Sequence, residues 1–173
     1  DSDQDAARAS SGITGLPGSS ISTLTISAAQ VEALIANPNS FLGYSASGPI
    51  IITGAITSAQ ASLLNSVNAT YIQATIVETT AANLAAITVD NATRASLNKF
   101  SVVVSDTSAT AAELNAVSAI TSVAADFSNI TGIEASDSAA ITALYTFSTI
   151  GLGNETISVN DTTIDAAILN TIN

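Results

Sequence analysis

The chain has 173 residues, of which 47% are apolar and only 10% are charged, with 14 acidic side chains against three basic ones and a net charge of −11. It contains no cysteine, histidine, methionine or tryptophan, which excludes disulfides, thiolate or imidazole metal sites and the histidine or cysteine machinery of most hydrolases. Three basic residues (Arg8, Arg94 and Lys99) argue against nucleic acid as a partner, and the negative charge opposes binding to an anionic membrane surface.

The apolar runs are short, and none approaches the roughly 20 residues of a membrane span. The sequence therefore predicts no membrane insertion. The chain begins with Asp1 and shows no signal-peptide hydrophobic region, so we expect a processed mature chain or a piece of a longer one. Its polarity comes mostly from Ser, Thr and Asn, which is typical of extracellular or cell-surface proteins, and the absence of cysteine is compatible with that location.

Residues 1–20 are polar and rich in Ser, Gly and Asp, which predicts an N-terminal arm or linker that is disordered by itself. The alternating Asp1, Asp3 and Asp5 resemble the opening of a calcium loop. However, Ala6 stands where the sharp turn of that loop needs Gly, and Gly12 stands where a bidentate Glu is needed, so we do not predict a calcium site here.

A strand-helix unit recurs through residues 21–173. Each copy has a short β-branched run, then Ser, Thr or Asp, then an Ala-rich stretch with Leu or Ile at helical spacing. The clearest copies start at residues 102–107 (VVVSDT) and 157–162 (ISVNDT), and weaker copies begin near residues 25, 55, 76, 88 and 133. The spacing is irregular, about 13 to 30 residues.

Polar residues at the start of the Ala-rich stretches indicate helix caps. Three pairs match the capping box, in which a hydroxyl and a side-chain carbonyl satisfy each other's unpaired amide groups: Ser27 with Gln30, Thr57 with Gln60 and Thr110 with Glu113. The pattern predicts helices near residues 28–36, 59–67, 80–86, 91–99, 109–117, 138–145 and 162–171.

A unit of this size cannot bury its own apolar face, whereas stacked units can. We therefore predict an α/β repeat fold, a solenoid of short parallel strands alternating with short Ala-rich helices. The few aromatic residues are expected to fill the core or to plug its ends rather than to form a ligand platform: Phe41, Tyr44, Tyr71, Phe100, Phe127, Tyr145 and Phe147.

Carboxylates at the junctions between strands and helices are candidate sites. Asp90, Asp106, Asp137 and Asp161 are interpreted as helix caps, with a ladder of calcium sites as the alternative. The pairs Glu134 with Asp137 and Asp161 with Asp165 have the spacing of an acid and a base, but carboxylates this scattered are usually solvated. We assign no catalytic, cofactor-binding or metal-binding residue, and expect no enzyme activity.

The sequence also contains a glycine pair and segments that resemble two kinds of known protein. Gly151 and Gly153 lack the third glycine of a dinucleotide loop, so they predict a turn. Residues 151–162 (GLGNETISVNDT) with 166–171 (AAILNT) resemble repeats of very long surface proteins of marine cyanobacteria and related bacteria, and residues 10–18 (SSGITGLPG) resemble the opening of such a repeat. Residues 110–117 (TAAELNAV) are similar to a motif of phage tail fibres.

These resemblances imply a surface or fibre protein without catalytic residues. We expect an extracellular structural repeat protein that forms or belongs to a filament, sheath or surface layer, with copies of itself as partners in a head-to-tail polymer. The alternative is a phage tail-fibre or adhesin segment that binds a host surface or a surface glycan. A polysaccharide-acting enzyme on a repeat scaffold stays open as a third class, and would need a groove with two facing carboxylates.

Overall fold

Short β-strands alternate with short α-helices along the chain. The computed structural model describes residues 23–37, 48–64, 67, 69–88 and 97–172. The strands in these ranges are β1 (Leu24–Ser27), β2 (Ile50–Ile56), β3 (Ile72–Ile76), β4 (Lys99–Ser101), β5 (Ser108–Thr110), β6 (Ala125–Asp126), β7 (Gly132–Ser136), β8 (Thr149–Ile150) and β9 (Thr156–Val159). The helices are α1 (Val31–Ala36), preceded by a 3₁₀ turn at Ala28–Gln30, α2 (Ser58–Leu64), α3 (Ala81–Ala85), α4 (Ala111–Ala119), α5 (Ser138–Leu144) and α6 (Ala166–Ile172).

The described strands form three sheets, and every pair in them is parallel. The sheet orders are β1-β2-β3-β4, β5-β7-β9 and β6-β8. Each pair encloses at least one helix in the sequence, because parallel neighbours need a crossover connection. We call a strand segment together with the helix that follows it a unit. The last described unit, residues 149–172, is called the terminal unit.

The register joins positions that lie 20 to 26 residues apart in the sequence. Leu24 pairs with Ile50, and Ile56 pairs with Ile76. A separate parallel bridge joins Val103, two residues after the end of β4, to Asp126 in β6. Its hydrogen bonds run from the Val104 N–H to the Asp126 carbonyl at 2.9 Å and from the Asp126 N–H to the Val102 carbonyl at 3.1 Å.

The core lies between the strands and the helices. Three inward-facing residues form a row across β1, β2 and β3. Leu24 pairs with Ile50, Ile50 pairs with Ile72, and all three are fully buried. One leucine of each of the first five helices faces this interior and is fully buried: Leu34, Leu64, Leu84, Leu114 and Leu144. Phe100 and Phe127 are buried as predicted, whereas Phe147 is exposed at the surface.

The predicted α/β alternation of parallel strands and helices is confirmed, as are the three capping boxes. The Ser27 N–H donates to Gln30 Oε1 at 2.9 Å, the Thr57 N–H to Gln60 Oε1 at 3.0 Å, and the Thr110 N–H to Glu113 Oε2 at 3.0 Å. These boxes stabilise helices of at most nine residues, which would be marginal alone.

Several predicted boundaries are wrong. The helix predicted over 109–117 begins at Ala111, because residues 108–110 pair with β7 as strand β5, so sheet pairing overrides the helix preference of Ala109. The helix predicted over 162–171 begins at Ala166. The helix predicted over 91–99 extends too far, since Lys99 starts β4. Residues 89–96 and the predicted arm 1–20 lie outside the described residues.

The predicted turn at residues 151–153 is confirmed, and it requires glycine. Gly151 has a φ of 92°, and a Cβ added there would lie 2.4 Å from the Ser128 Cα. At position 151 the backbone of the terminal unit therefore lies closer to the backbone of the preceding unit than any residue other than glycine would allow.

We predict that Leu114→Ala lowers the free energy of unfolding by about 2–5 kcal/mol, because it opens a cavity at a fully buried helical position. Leu63→Ala, the same change in α2 at a side chain that is 52% exposed, serves as the control and should cost less than about 1 kcal/mol. Denaturant titration of both variants measures the difference. Equal losses would contradict this assignment of the helix face.

Candidate functional site: the contacts between units and the terminal unit

The first backbone N–H of a helix is accepted by a side chain from the following unit. This contact occurs at α2, α3, α4 and α5. The bonds run from Ser58 N to Glu78 Oε2 (2.7 Å), from Ala81 N to Asp106 Oδ2 (2.6 Å), from Ala111 N to Ser136 Oγ (3.0 Å) and from Ser138 N to Asp161 Oδ2 (2.7 Å). We call these four bonds the inter-unit caps.

The inter-unit caps complement the caps within each unit. The first four N–H groups of a helix have no partner inside it. In α5 the Asp137 side chain accepts from the Ala140 N–H at 2.7 Å, while Asp161 takes the first N–H, that of Ser138. Negative charge near a helix N-terminus is stabilised further by the helix dipole. Two carboxylates from two different units therefore satisfy the beginning of one helix.

The structure changes the interpretation of the junction aspartates. Asp137 caps its own helix, as predicted. Asp106 and Asp161 also cap helices, but the helices belong to the preceding unit. Glu78 and Ser136, which have the same role, were not predicted. Asp90 lies outside the described residues.

The two carboxylate pairs that have the spacing of an acid and a base are engaged in structural contacts. Glu134 accepts from the Ser108 hydroxyl at 2.8 Å, whereas its possible partner Asp137 caps α5. Asp165 accepts from the Ala167 N–H at 2.7 Å, whereas Asp161 caps the previous helix.

Among the described residues, no group of three or more acidic side chains is placed to hold a metal ion. In the same part of the chain, no helix has the length and apolar character needed to cross a bilayer.

The terminal unit is attached to α5 through a tyrosine. The Tyr145 hydroxyl donates to a Glu155 carboxylate oxygen, and the other oxygen accepts from the N–H groups of Gly153 (2.7 Å) and Asn154 (2.9 Å). Burial and the Glu155 carboxylate raise the pKa of Tyr145. Burial opposes the ionisation of Glu155, but these hydrogen bonds outweigh it and lower its pKa. The pair fixes the turn that leads into β9.

The terminal unit leaves apolar side chains open to solvent. Ile133 in β7 is buried, whereas Ile157, its partner in β9, is only half-buried. Ile150 is 50% exposed and Leu169 is 56% exposed. In the described structure β8 and β9 each pair with one strand only. An inner unit is covered by the unit that follows it, and the terminal unit has no such cover among the described residues.

Comparison with protein families, with curated proteins and with solved structures finds no match for this chain.

The inter-unit cap at Asp161 predicts a pH dependence of stability. Hydrogen bonds from Ser138 lower the pKa of Asp161 below its ordinary value of 3.8. A group whose pKa is depressed by folding stabilises the native state above its unfolded pKa, and this contribution is lost as the pH falls through the folded pKa. The native chain should therefore exceed Asp161→Asn in stability most at neutral pH, and the difference should shrink below about pH 4.

Thermal melts of the native chain and of Asp161→Asn between pH 2 and pH 7 measure this difference. Asp165→Asn, which removes a carboxylate that bonds within its own unit, is the matched control for an effect on local helix capping. A difference between the native chain and Asp161→Asn that stays constant with pH would contradict a charged inter-unit cap.

Proposed function

We propose that this chain is a structural repeat module, an α/β solenoid whose work is done by stacking and self-association rather than by chemistry on a small molecule. The solenoid arrangement is supported by the parallel pairing of segments 20 to 26 residues apart, by the inter-unit caps and by contacts between successive helices, such as α3 with α4 and α4 with α5. Repeat proteins of this kind gain their stability from neighbouring units.

The observation that carries the functional proposal is the open face of the terminal unit. Each inner unit buries its apolar side chains against the next unit, so the surface that fits Ile157 and Leu169 is another unit of the same construction. A second copy of this chain offers such units. Uncapped ends of repeat arrays and unpaired strand edges promote association of this kind.

The proposed polymer is head to tail, with the terminal unit of one copy against the N-terminal part of the next. A heterologous contact of this type propagates as an open filament. We place the module in an extracellular filament, sheath or surface layer. That location is supported by the Ser, Thr and Asn composition and by the resemblance of residues 151–162 to bacterial surface repeats. The predicted arm, residues 1–20, would engage the neighbouring copy.

Sedimentation velocity of the purified chain over a range of concentrations tests self-association. We expect oligomers that grow with concentration, and we expect Leu169→Glu to weaken the association at least about tenfold, since burying one leucine stabilises by about 1.5–3 kcal/mol. Val77→Glu is the control, because Val77 is 55% exposed, close to the 56% of Leu169, but lies outside the terminal unit. Both variants should keep the native circular dichroism spectrum.

Three outcomes would contradict the proposal. The first is a native chain that is monomeric at every concentration. The second is an equal loss of association in both variants. The third is a closed trimer of fixed size, which would favour the tail-fibre alternative.

A further inference from the structure

The first and the last described units each have a strand with one free edge. Of the strands in the described ranges, β1 pairs with β2 alone and β9 pairs with β7 alone. An edge strand presents a row of backbone N–H and C=O groups that can pair with a further strand. We call residues 24–36, which comprise β1 and α1, the first unit. In the proposed solenoid the two edges lie at opposite ends, so they can pair only between two molecules.

The free edge of β1 presents the backbone groups of Thr25. The Leu24 N–H donates to the Pro49 carbonyl at 2.9 Å, so the backbone groups of Leu24 are directed towards β2. Successive residues of a strand direct these groups to opposite sides, which places the N–H and C=O of Thr25 at the free edge. The side chains of Leu24 and Ile26 lie in the core, whereas the Thr25 side chain is exposed.

The free edge of β9 has the complementary arrangement. The Thr156 N–H donates to the Thr131 carbonyl at 2.9 Å, so the backbone groups of Thr156 are directed towards β7. By the same alternation, Ile157 and Val159 direct their N–H and C=O groups to the free edge. Their side chains pack against the core and are half-buried, whereas those of Thr156 and Ser158 are exposed.

One parallel register satisfies both edges. With Ile157 opposite Leu24 and Val159 opposite Ile26, the inward side chains of both strands lie on the same side of the sheet. The Thr25 N–H then donates to the Ile157 carbonyl, and the Thr25 carbonyl accepts from the Val159 N–H, as in any parallel ladder. A shift by one residue would turn Ile157 and Val159 to the outer face. A shift by two would leave one of them beyond the end of β1.

A second copy of this chain fits the terminal unit better than an isolated peptide strand does. Besides the edge of β9, the terminal unit exposes Leu169 of α6. A peptide added to the sheet edge would cover β9 only. The first unit of another copy brings β1 and, directly after it, the 3₁₀ turn and α1. Inner units are joined in the same two ways, for example through β5 with β7 and through α4 with α5.

We propose that β9 of one copy pairs in parallel with β1 of the next copy, with Ile157 opposite Leu24 and Val159 opposite Ile26. The sheet then continues from molecule to molecule. This inference rests on the proposed head-to-tail self-association, and it adds the two strands and the register that make the contact. Leu24 and Ile26 are buried already, so β1 contributes its backbone groups and the exposed Thr25, whereas Ile157 and Val159 gain burial.

Disulfide trapping tests this register, because the chain has no cysteine. Thr25 and Ser158 would lie opposite each other on the exposed face, about 4.8 Å apart, which suits a disulfide. When Thr25→Cys and Ser158→Cys chains are mixed and oxidised, the mixed disulfide should form at least about tenfold faster than with Thr156→Cys as the second chain. Thr156 is the matched control, since it is exposed on the same strand but would lie about 8 Å from Thr25. Mass spectrometry of the digested product identifies the linked residues.

Equal rates in the two mixtures would overturn this register. So would faster disulfide formation between two Ser158→Cys chains than in the mixture, since that result means pairing of β9 with β9. Sedimentation velocity of the native chain in the same buffer separates this contact from self-association itself. Association without the disulfide between positions 25 and 158 would remove the strand pairing and leave the proposed function standing, whereas a monomeric native chain would remove both.

Discussion

The acceptance of a helix's first N–H by a side chain of the next unit is the interaction on which the rest of the structure depends. The helices have five to nine residues, a length at which an isolated helix is unstable in water. Their first turn must therefore be satisfied from outside. The parallel register brings the acceptor to the helix, because the acceptor lies at the end of a strand or within five residues after it. Ser136 ends β7, and Asp161 comes two residues after β9.

This interaction also explains how a protein with so few charges keeps its units together. Ion pairs cannot serve this purpose in a chain with three basic residues. Hydrogen bonds between units do so instead, with carboxylate acceptors at three of the four inter-unit caps and neutral groups elsewhere. The Asn115 side chain donates to the Ala140 carbonyl at 2.8 Å, and the Thr131 hydroxyl donates to the Thr107 carbonyl at 3.1 Å. Each such bond contributes only about 1 kcal/mol, but it recurs along the stack, and it does not weaken with salt as exposed ion pairs do.

The features that the sequence predicted well are those that depend on nearby residues. A capping box joins positions three residues apart, so the box of Thr110 with Glu113 can be predicted directly from the sequence, and so can the turn at Gly151. The inter-unit caps were not readable, because Asp106 and Ala81 are 25 residues apart and meet only through the strand register. The same holds for β5, whose Ser-Ala-Thr sequence carries no strand signal and which forms because β7 lies beside it.

The candidate sites follow the same division. The carboxylates at the junctions were recognisable as caps from their position before a helix, but the helix that each one caps was not.

All four inter-unit caps have the same direction along the chain, with the acceptor 20 to 25 residues after the first residue of the helix that it caps. Because the ribosome makes the chain from the N-terminus, a helix that has just emerged lacks its acceptor until the following unit has been translated. While the chain grows through α2 to α5, the newest of these helices has an unsatisfied first N–H, which the following unit then satisfies. Completion of these four helix starts therefore follows synthesis at a distance of 20 to 25 residues.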